Sequence, residues 1–557
     1  MKIWWKEAVV YQIYPRSFQD SNGDGIGDLQ GIIQRLDYIQ ELGVDAVWIC
    51  PIFKSPNDDN GYDISDYQDV MEDFGTMKNF DQLLEEVHKR GMKLIIDLVL
   101  NHTSDEHPWF IESRFSKDHP KRDWYIWRDG KNGREPNNWE SIFGDSAWEY
   151  DEKTKQYYLH IFSVKQPDLN WENGEVRKAL YEIVNWWIQK GIDGFRIDAI
   201  SHIKKRAGLP NLPNPKKLKY VSSFPMHLNQ KGIHPLLKEF KERTYGNTDV
   251  MTVGEANGVT VEDAGLWVGQ KQGVMDMIFQ FEHLGLWDPE DKDAELDIIE
   301  LKKVLTKWQK GLESDGWNAL FIENHDKPRV VSTWGDDGKY WRESATAFGA
   351  MYFFMKGTPF IYQGQEIGMT NVCFSSIDDY DDVATKNLYI KKQSEGLKNQ
   401  EIMKIIWASS RDNSRTPMQW SAEEHAGFST VSPWMKVNPN NNELNVETQL
   451  RDEGSVLSFY RKMIQLKKQH EVFSYGQYDL ILEENKPIFS YTRTFKGEKA
   501  VVLTNLSGRQ AKFQLNEWSL SSDQLLLNNY SVEKHSLQSM FSFNPYEARV
   551  YKCHSVT

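Results

Sequence analysis

Apolar residues recur along the chain in two alternating patterns. Short runs dense in Val, Ile and Leu alternate with segments whose apolar positions repeat at helical spacing. AVVYQIYPRSF (8–18) predicts a buried strand, and GIIQRLDYIQELG (31–43) an amphipathic helix stopped by Gly43. The strand DAVWICPIF (45–53), the helix FDQLLEEVHKRG (80–91) and the strand KLIIDLVLNH (93–102) follow. After an interruption come a helix over 176–190, the strand GFRIDAI (194–200), a helix over 234–244 and the strand DVMTVGEAN (249–257). MDMIFQFE (275–282), a helix over 294–313, NALFIENHD (318–326), a helix over 342–356, PFIYQGQEIG (359–368) and a last helix over 454–470 complete the series.

Short strands with helical crossovers predict a parallel sheet buried on both faces. Eight such units fit an α/β fold of the (β/α)8 TIM barrel kind better than an open doubly wound sheet. The barrel is expected over 1–103 and 173–477. Residues 104–172, rich in Trp, Asp, Asn and Lys, break the rhythm and predict a domain inserted after strand 3. A second polar insertion spans 369–453. Beyond 477 short alternating runs such as PIFSYTRTF predict a C-terminal all-β domain, a β-sandwich over 478–557.

Composition narrows the classes. The 557 residues are 39% hydrophobic and 26% charged, enough for a large core. With 66 Lys and Arg against 81 Asp and Glu, the net charge of −15 weighs against a nucleic-acid partner. Cys50, Cys373 and Cys553 are too few and too scattered for a disulfide framework and are expected to be reduced thiols. No apolar run reaches a membrane span, and MKIWWKEAVVYQIYP is unlike a signal peptide. The expectation is a cytoplasmic, monomeric protein with no membrane partner.

A barrel places its chemistry at the C-terminal ends of its strands. Four strands end in acids there: Asp97 with Asn101 and His102, Arg196 with Asp198, Glu255, and His325 with Asp326. Buried acids without partners are costly, so several around one mouth predict a shared polar site. Paired carboxyls cleave glycosidic bonds, one as acid and the other as nucleophile or base. No Ser-His-Asp elbow, phosphate-cradling glycine loop or zinc spacing competes.

DLVLNH (97–102), GFRIDAI (194–200), GEAN (254–257) and ENHD (323–326) resemble the four sequence motifs of the α-amylase family of glycoside hydrolases, family 13. QPDLN (166–170) resembles the fifth motif of its oligo-1,6-glucosidase subfamily, and the likeness is nearest to exo-acting α-glucosidases of the maltase type. The resemblance implies a retaining mechanism with Asp198 as nucleophile, Glu255 as general acid/base and Asp326 as transition-state stabiliser. Arg196, on the same strand face, is expected to hold Asp198 ionised, and nearby carboxylates to keep Glu255 protonated. His102 and His325 are implied to bind glucose hydroxyls and Tyr62 to stack beneath the ring. Asp59 and Arg415 are implied to pair and close the pocket, which favours release of one glucose at a time. Phe143, Phe162 and Gln166 are further candidates.

Linkage and ion remain to be read. In this subfamily Val after the nucleophile goes with α-1,6 cleavage and Ala or Thr with α-1,4. Ala199 therefore favours α-1,4 substrates such as maltose and maltooligosaccharides, with transglucosylation to other sugars. An isomaltase or broad sucrase/isomaltase is the alternative. A sucrose isomerase is disfavoured because FEHLGLWD (281–288) lacks an Arg-x-Asp-Arg element, and a silent transporter-associated subunit because all three acids are kept. DSNGDGIGD (20–28) spaces Asp20, Asn22, Asp24, the Ile26 carbonyl and Asp28 as oxygen ligands for structural Ca2+, with Mg2+ as the alternative. No organic cofactor is expected.

Overall fold

The computed structural model describes residues 3–288, 295–515 and 517–554. Eight parallel strands form the central sheet: β1 (Val10–Ile13), β2 (Ala46–Ile49), β3 (Lys93–Val99), β4 (Gly194–Asp198), β5 (Met251–Glu255), β6 (Met277–Phe279), β7 (Ala319–Leu320) and β8 (Thr358–Tyr362). Their order is β6-β5-β4-β3-β2-β1-β8-β7, and a parallel bridge between Ile278 and Asn318 joins the two ends. The helices are α1 (Leu29–Leu42), α2 (Met77–Lys89), α3 (Gly174–Lys190), α4 (Ile233–Arg243), α5 (Ala264–Val268), α6 (Ile298–Gly311), α7 (Trp341–Phe353) and α8 (Val456–Gln469). Ala294, the expected first residue of α6, lies outside the described residues, as do Met1, Lys2 and residues 555–557.

Local chemistry sets these boundaries. The Asp28 carboxylate accepts the Gly31 N–H and caps α1, and Gly43 ends it at a φ of 97° that other residues rarely adopt. Alternate residues of the strands point inward, where Val10, Trp48, Ile95, Val253, Met277, Phe279 and Phe360 fill the barrel. The opposite faces pack on the helices, as Val47, Ile96 and Ile197 do.

Several expected strands are shorter than their apolar runs. Strand 1 stops at Ile13 because Pro15 opens a turn of 3-10 helix, and β7 keeps only Ala319 and Leu320 in the ladder before the chain bends. The inserted region carries a three-stranded antiparallel sheet and does not stand alone. Leu209, Leu212 and Met226 of the loop after β4 pack on its Trp139 and Trp148. The 369–453 segment is not merely polar loop. It holds helices Val383–Ser394 and Asn399–Ser409 over a small core that includes Phe374, Tyr380, Ile402 and Ile406. The C-terminal region is antiparallel, with a five-stranded sheet facing a two-stranded one across Val501, Phe513 and Phe543.

Candidate active site

Parallel register brings the acids together. Arg196 of β4 pairs in register with Asp97 of β3, while Ile197 aligns with Gly254 of β5. Arg196 is almost wholly buried, and one nitrogen, Nη1, donates to Asp97 at 2.8 Å and to Asp198 at 2.6 Å. Its Nη2 donates to Glu255 at 2.5 Å. One guanidinium thus spans both carboxyls of the expected catalytic pair, and the Ala199 N–H donates to Glu255 at 3.2 Å.

Sharing has an electrostatic consequence that corrects the expectation of a simply ionised Asp198. Burial, then the charges of Glu255 and Asp97 and a hydrogen bond shared with Glu255, push the Asp198 carboxyl well above the usual range despite the pull of Arg196. Asp326 behaves oppositely. Burial opposes its charge, but His325, Arg411 and Arg415 outweigh burial and hold its carboxyl well below the usual range.

Aromatic and imidazole groups line the site. Tyr62 lies parallel to His325, with centroids 5.4 Å apart, and its hydroxyl contacts Asp97 at 3.1 Å and His325 Nε2 at 2.6 Å. Burial disfavours the charged His325 ring, yet Asp326 and Cys50 raise it to about 10, which makes it an imidazolium beside Asp326. His102 is the reverse case: burial lowers it to about 4, and it stays neutral. Gln166 reaches in from the inserted region and donates to Asp59 at 3.1 Å, with its amide nitrogen 3.2 Å from His102 Nε2. Phe162 lies 5.0 Å from the His102 ring and 5.7 Å from Phe143.

The pocket closure differs from the expected Asp59–Arg415 pair. Asp59 pairs with Arg411 at 3.0 Å, whereas Arg415 donates to Asp326 at 2.8 Å and to the His325 carbonyl at 2.9 Å. Arg411 also reaches Asp326 at 3.2 Å and Asp382 at 2.5 Å, and lies 4.9 Å over the Phe143 ring. Sequence reasoning missed Arg411, although it stands four residues before Arg415, one helical turn away. It also missed Asp382, hidden in the acidic run IDDYDD, and the ion pair of Lys205 with Asp168 that ties the inserted region to the loop after β4.

Around the loop between β1 and α1 the donors are all oxygen, which suits a hard cation. The loop already uses many of them. Asp20 accepts the N–H groups of Asn22, Gly23 and Gly25 and the Ser429 hydroxyl, while Asp28 accepts from Ser21 and Gly31. Asp24 accepts from Ile26 N–H and from the Asn22 amide. Among the described residues no group of three or more His, Cys, Asp or Glu gathers where it would hold a metal ion.

Comparison with known proteins bears on the whole chain. Residues 12–476 match the family model "Alpha amylase, catalytic domain". The chain is 60% identical over 550 residues to the probable oligo-1,6-glucosidase 3 of Bacillus subtilis (strain 168), covering 99% of each chain. It is 53% identical to the oligo-1,6-glucosidase of Parageobacillus thermoglucosidasius, again over 99% of each. Among solved structures, trehalose-6-phosphate hydrolase of Bacillus licheniformis superposes with a TM-score of 0.93 at 43% identity, covering 99% of this chain and 100% of that one.

Proposed function

The chain belongs to the α-amylase family of glycoside hydrolases, and from that premise we propose that it removes glucose from the non-reducing end of short α-glucosides by a retaining mechanism. An α-glucosidase-type hydrolase is the shared character of its relatives. The observation that carries the mechanism is the single Arg196 guanidinium bonded to both Asp198 and Glu255. Two carboxyls bridged by one guanidinium suit a retaining pair, about 5–5.5 Å apart, better than an inverting pair roughly 6.5–9.5 Å apart with a water between them.

The chemistry then runs in two steps. An Asp198 oxygen bonds to the anomeric carbon as the glycosidic C–O bond breaks, and Glu255, as the general acid, gives its proton to the departing oxygen. Glu255, now a carboxylate, takes a proton from water, whose oxygen displaces Asp198 and releases α-glucose. Asp326, fixed as an anion by His325, Arg411 and Arg415, stabilises the oxocarbenium-like sugar ring in the transition state of each step. Asp59, Gln166 and Arg411 form the blind end that admits one terminal glucose.

For the linkage we propose α-1,6 cleavage of isomaltose-type substrates, supported by relatives named oligo-1,6-glucosidase at 60% and 53% identity. The second reading, α-1,4 preference, rests on Ala199 after the nucleophile. Its backbone is left-handed at φ 44°, a conformation that strains a β-branched residue more than alanine. One pocket methylene shifts discrimination by only about 1–3 kcal/mol. Initial rates on isomaltose and maltose at equal concentration decide between them: faster isomaltose hydrolysis is expected, and faster maltose hydrolysis would install the second reading. We also propose one structural Ca2+, or Mg2+, at the Asp20–Asp28 loop. Its support is the all-oxygen donor set, and it plays no part in the reaction.

A further inference from the structure

A groove of about 670 Å³ lies outside the catalytic pocket, between the strand Asp66–Val70, the start of helix Pro108–Ser113 and the outer face of α3. That volume falls within the range of small-molecule clefts, roughly 300–1,000 Å³. None of Asp198, Glu255, Asp326, Asp59 or Arg411 lines it.

Two half-buried indoles, Trp109 and Trp186, line the groove and are braced from behind. Trp109 meets Trp124 edge-on at 4.9 Å and the His107 ring at 4.5 Å, and its backbone N–H donates to His107. Trp186 meets Trp187 at 4.8 Å and 90°, and the Trp187 indole N–H is anchored on the Tyr67 carbonyl at 2.8 Å. Rings held this way lose little freedom when a ligand packs on them.

The polar lining is uncharged or acidic. Gln68, Glu182 and Gln189 are exposed, and among the described residues the carboxamides of Gln68 and Gln189 make no hydrogen bond to the chain. No Lys or Arg lines the groove, and the Lys190 ammonium, 5.2 Å over the Trp186 ring, is paired with Asp81 at 2.6 Å, so the wall offers little to draw a phosphate or a carboxylate. Amphipathic rings beside carboxamide and carboxylate groups suit a ligand with apolar C–H faces and hydroxyl edges.

We propose that this groove binds a neutral oligosaccharide, separately from the catalytic pocket. The groove's ligand class matches the proposed substrate, but its residues take no part in the reaction.

The test is migration of the full chain in native gels containing dextran or soluble starch, beside a gel without polysaccharide. Two variants are compared with wild type: Trp109→Ala with Trp186→Ala, and Gln68→Ala with Gln189→Ala, the second pair being exposed and so neutral to folding. Wild type should be retarded in at least one polysaccharide gel, and both double variants should lose most of that retardation. Their hydrolysis of p-nitrophenyl α-glucoside should stay within about twofold of wild type. An unretarded wild type, or retardation that survives in either variant, overturns the proposal. A wild type that fails to cleave p-nitrophenyl α-glucoside would instead overturn the α-glucosidase reading and leave the gel result to stand alone.

Discussion

Three carboxylates, Asp59, Asp326 and Asp382, converge on the Arg411 guanidinium. Removing one partner of a buried ion pair costs about 3–5 kcal/mol, because the remaining charge is left uncompensated. Arg411→Ala should therefore lower both the melting temperature and kcat/KM, the latter by about 10²-fold or more. Arg411→Lys should recover stability better than activity, since an ammonium cannot reproduce the planar array of donors. Thermal melts and p-nitrophenyl α-glucoside kinetics check both outcomes, and a fully active Arg411→Ala would refute this role. Asp198→Asn and Glu255→Gln should each cost about 10³-fold or more in kcat with the circular dichroism spectrum unchanged. At this scale the sequence marked the trio clearly, because Asp198, Glu255 and Asp326 stand at strand ends within recognisable motifs. It did not mark Arg411, whose importance comes from three acids brought from distant segments.

The helix Val383–Ser394 joins element and site. Asp382 caps it by accepting the Ala384 and Thr385 N–H groups, while the same carboxylate holds Arg411. Burial pushes the Asp382 carboxyl up, but Arg411 and Arg415 outweigh that and bring it to about 2. Its folded-state value is therefore depressed relative to the unfolded chain. The stability it contributes is present above about pH 4 and is lost as the pH falls toward about 2. Asp382→Asn should be less stable than wild type at neutral pH, and the gap between their melting temperatures should narrow on acidification through that window. A gap that stays constant with pH would contradict the ion-pair account. The helix itself was illegible in sequence for a plain reason: only Thr385 is buried, so no apolar stripe repeats along it. The barrel helices were legible because each buries one face, as α2 does with Phe80, Leu83, Leu84 and Val87. Strand ends were over-extended wherever an apolar run continued past the last ladder pair, as after Leu320.

Across the whole molecule, buried cations fasten the C-terminal sheets to the barrel. The Lys302 ammonium donates to the Leu482 and Glu483 carbonyls, and Arg493 donates to those of Phe473 and Gly476. Neither residue carries a sequence motif, so this attachment could be found only from the folded chain. The α/β alternation did make the barrel legible, because a parallel sheet buried on both faces needs nearly continuous apolar strands. Among the described residues no helix is long and apolar enough to cross a membrane. The ion proposed after β1 is also a question for the whole molecule, since binding to the folded state alone raises its stability. After chelation and repurification, added Ca2+ should raise the melting temperature, and an unchanged melt with no metal found would reject the ion. The central claim is retaining removal of a terminal α-glucose, and proton NMR of p-nitrophenyl α-glucoside hydrolysis, which frees a single glucose and no second reducing sugar, tests it most directly when recorded from the first minutes. The first glucose released should be the α-anomer, with the β-anomer growing only by mutarotation. Early appearance of β-glucose, or no hydrolysis of the glucoside, would contradict the account.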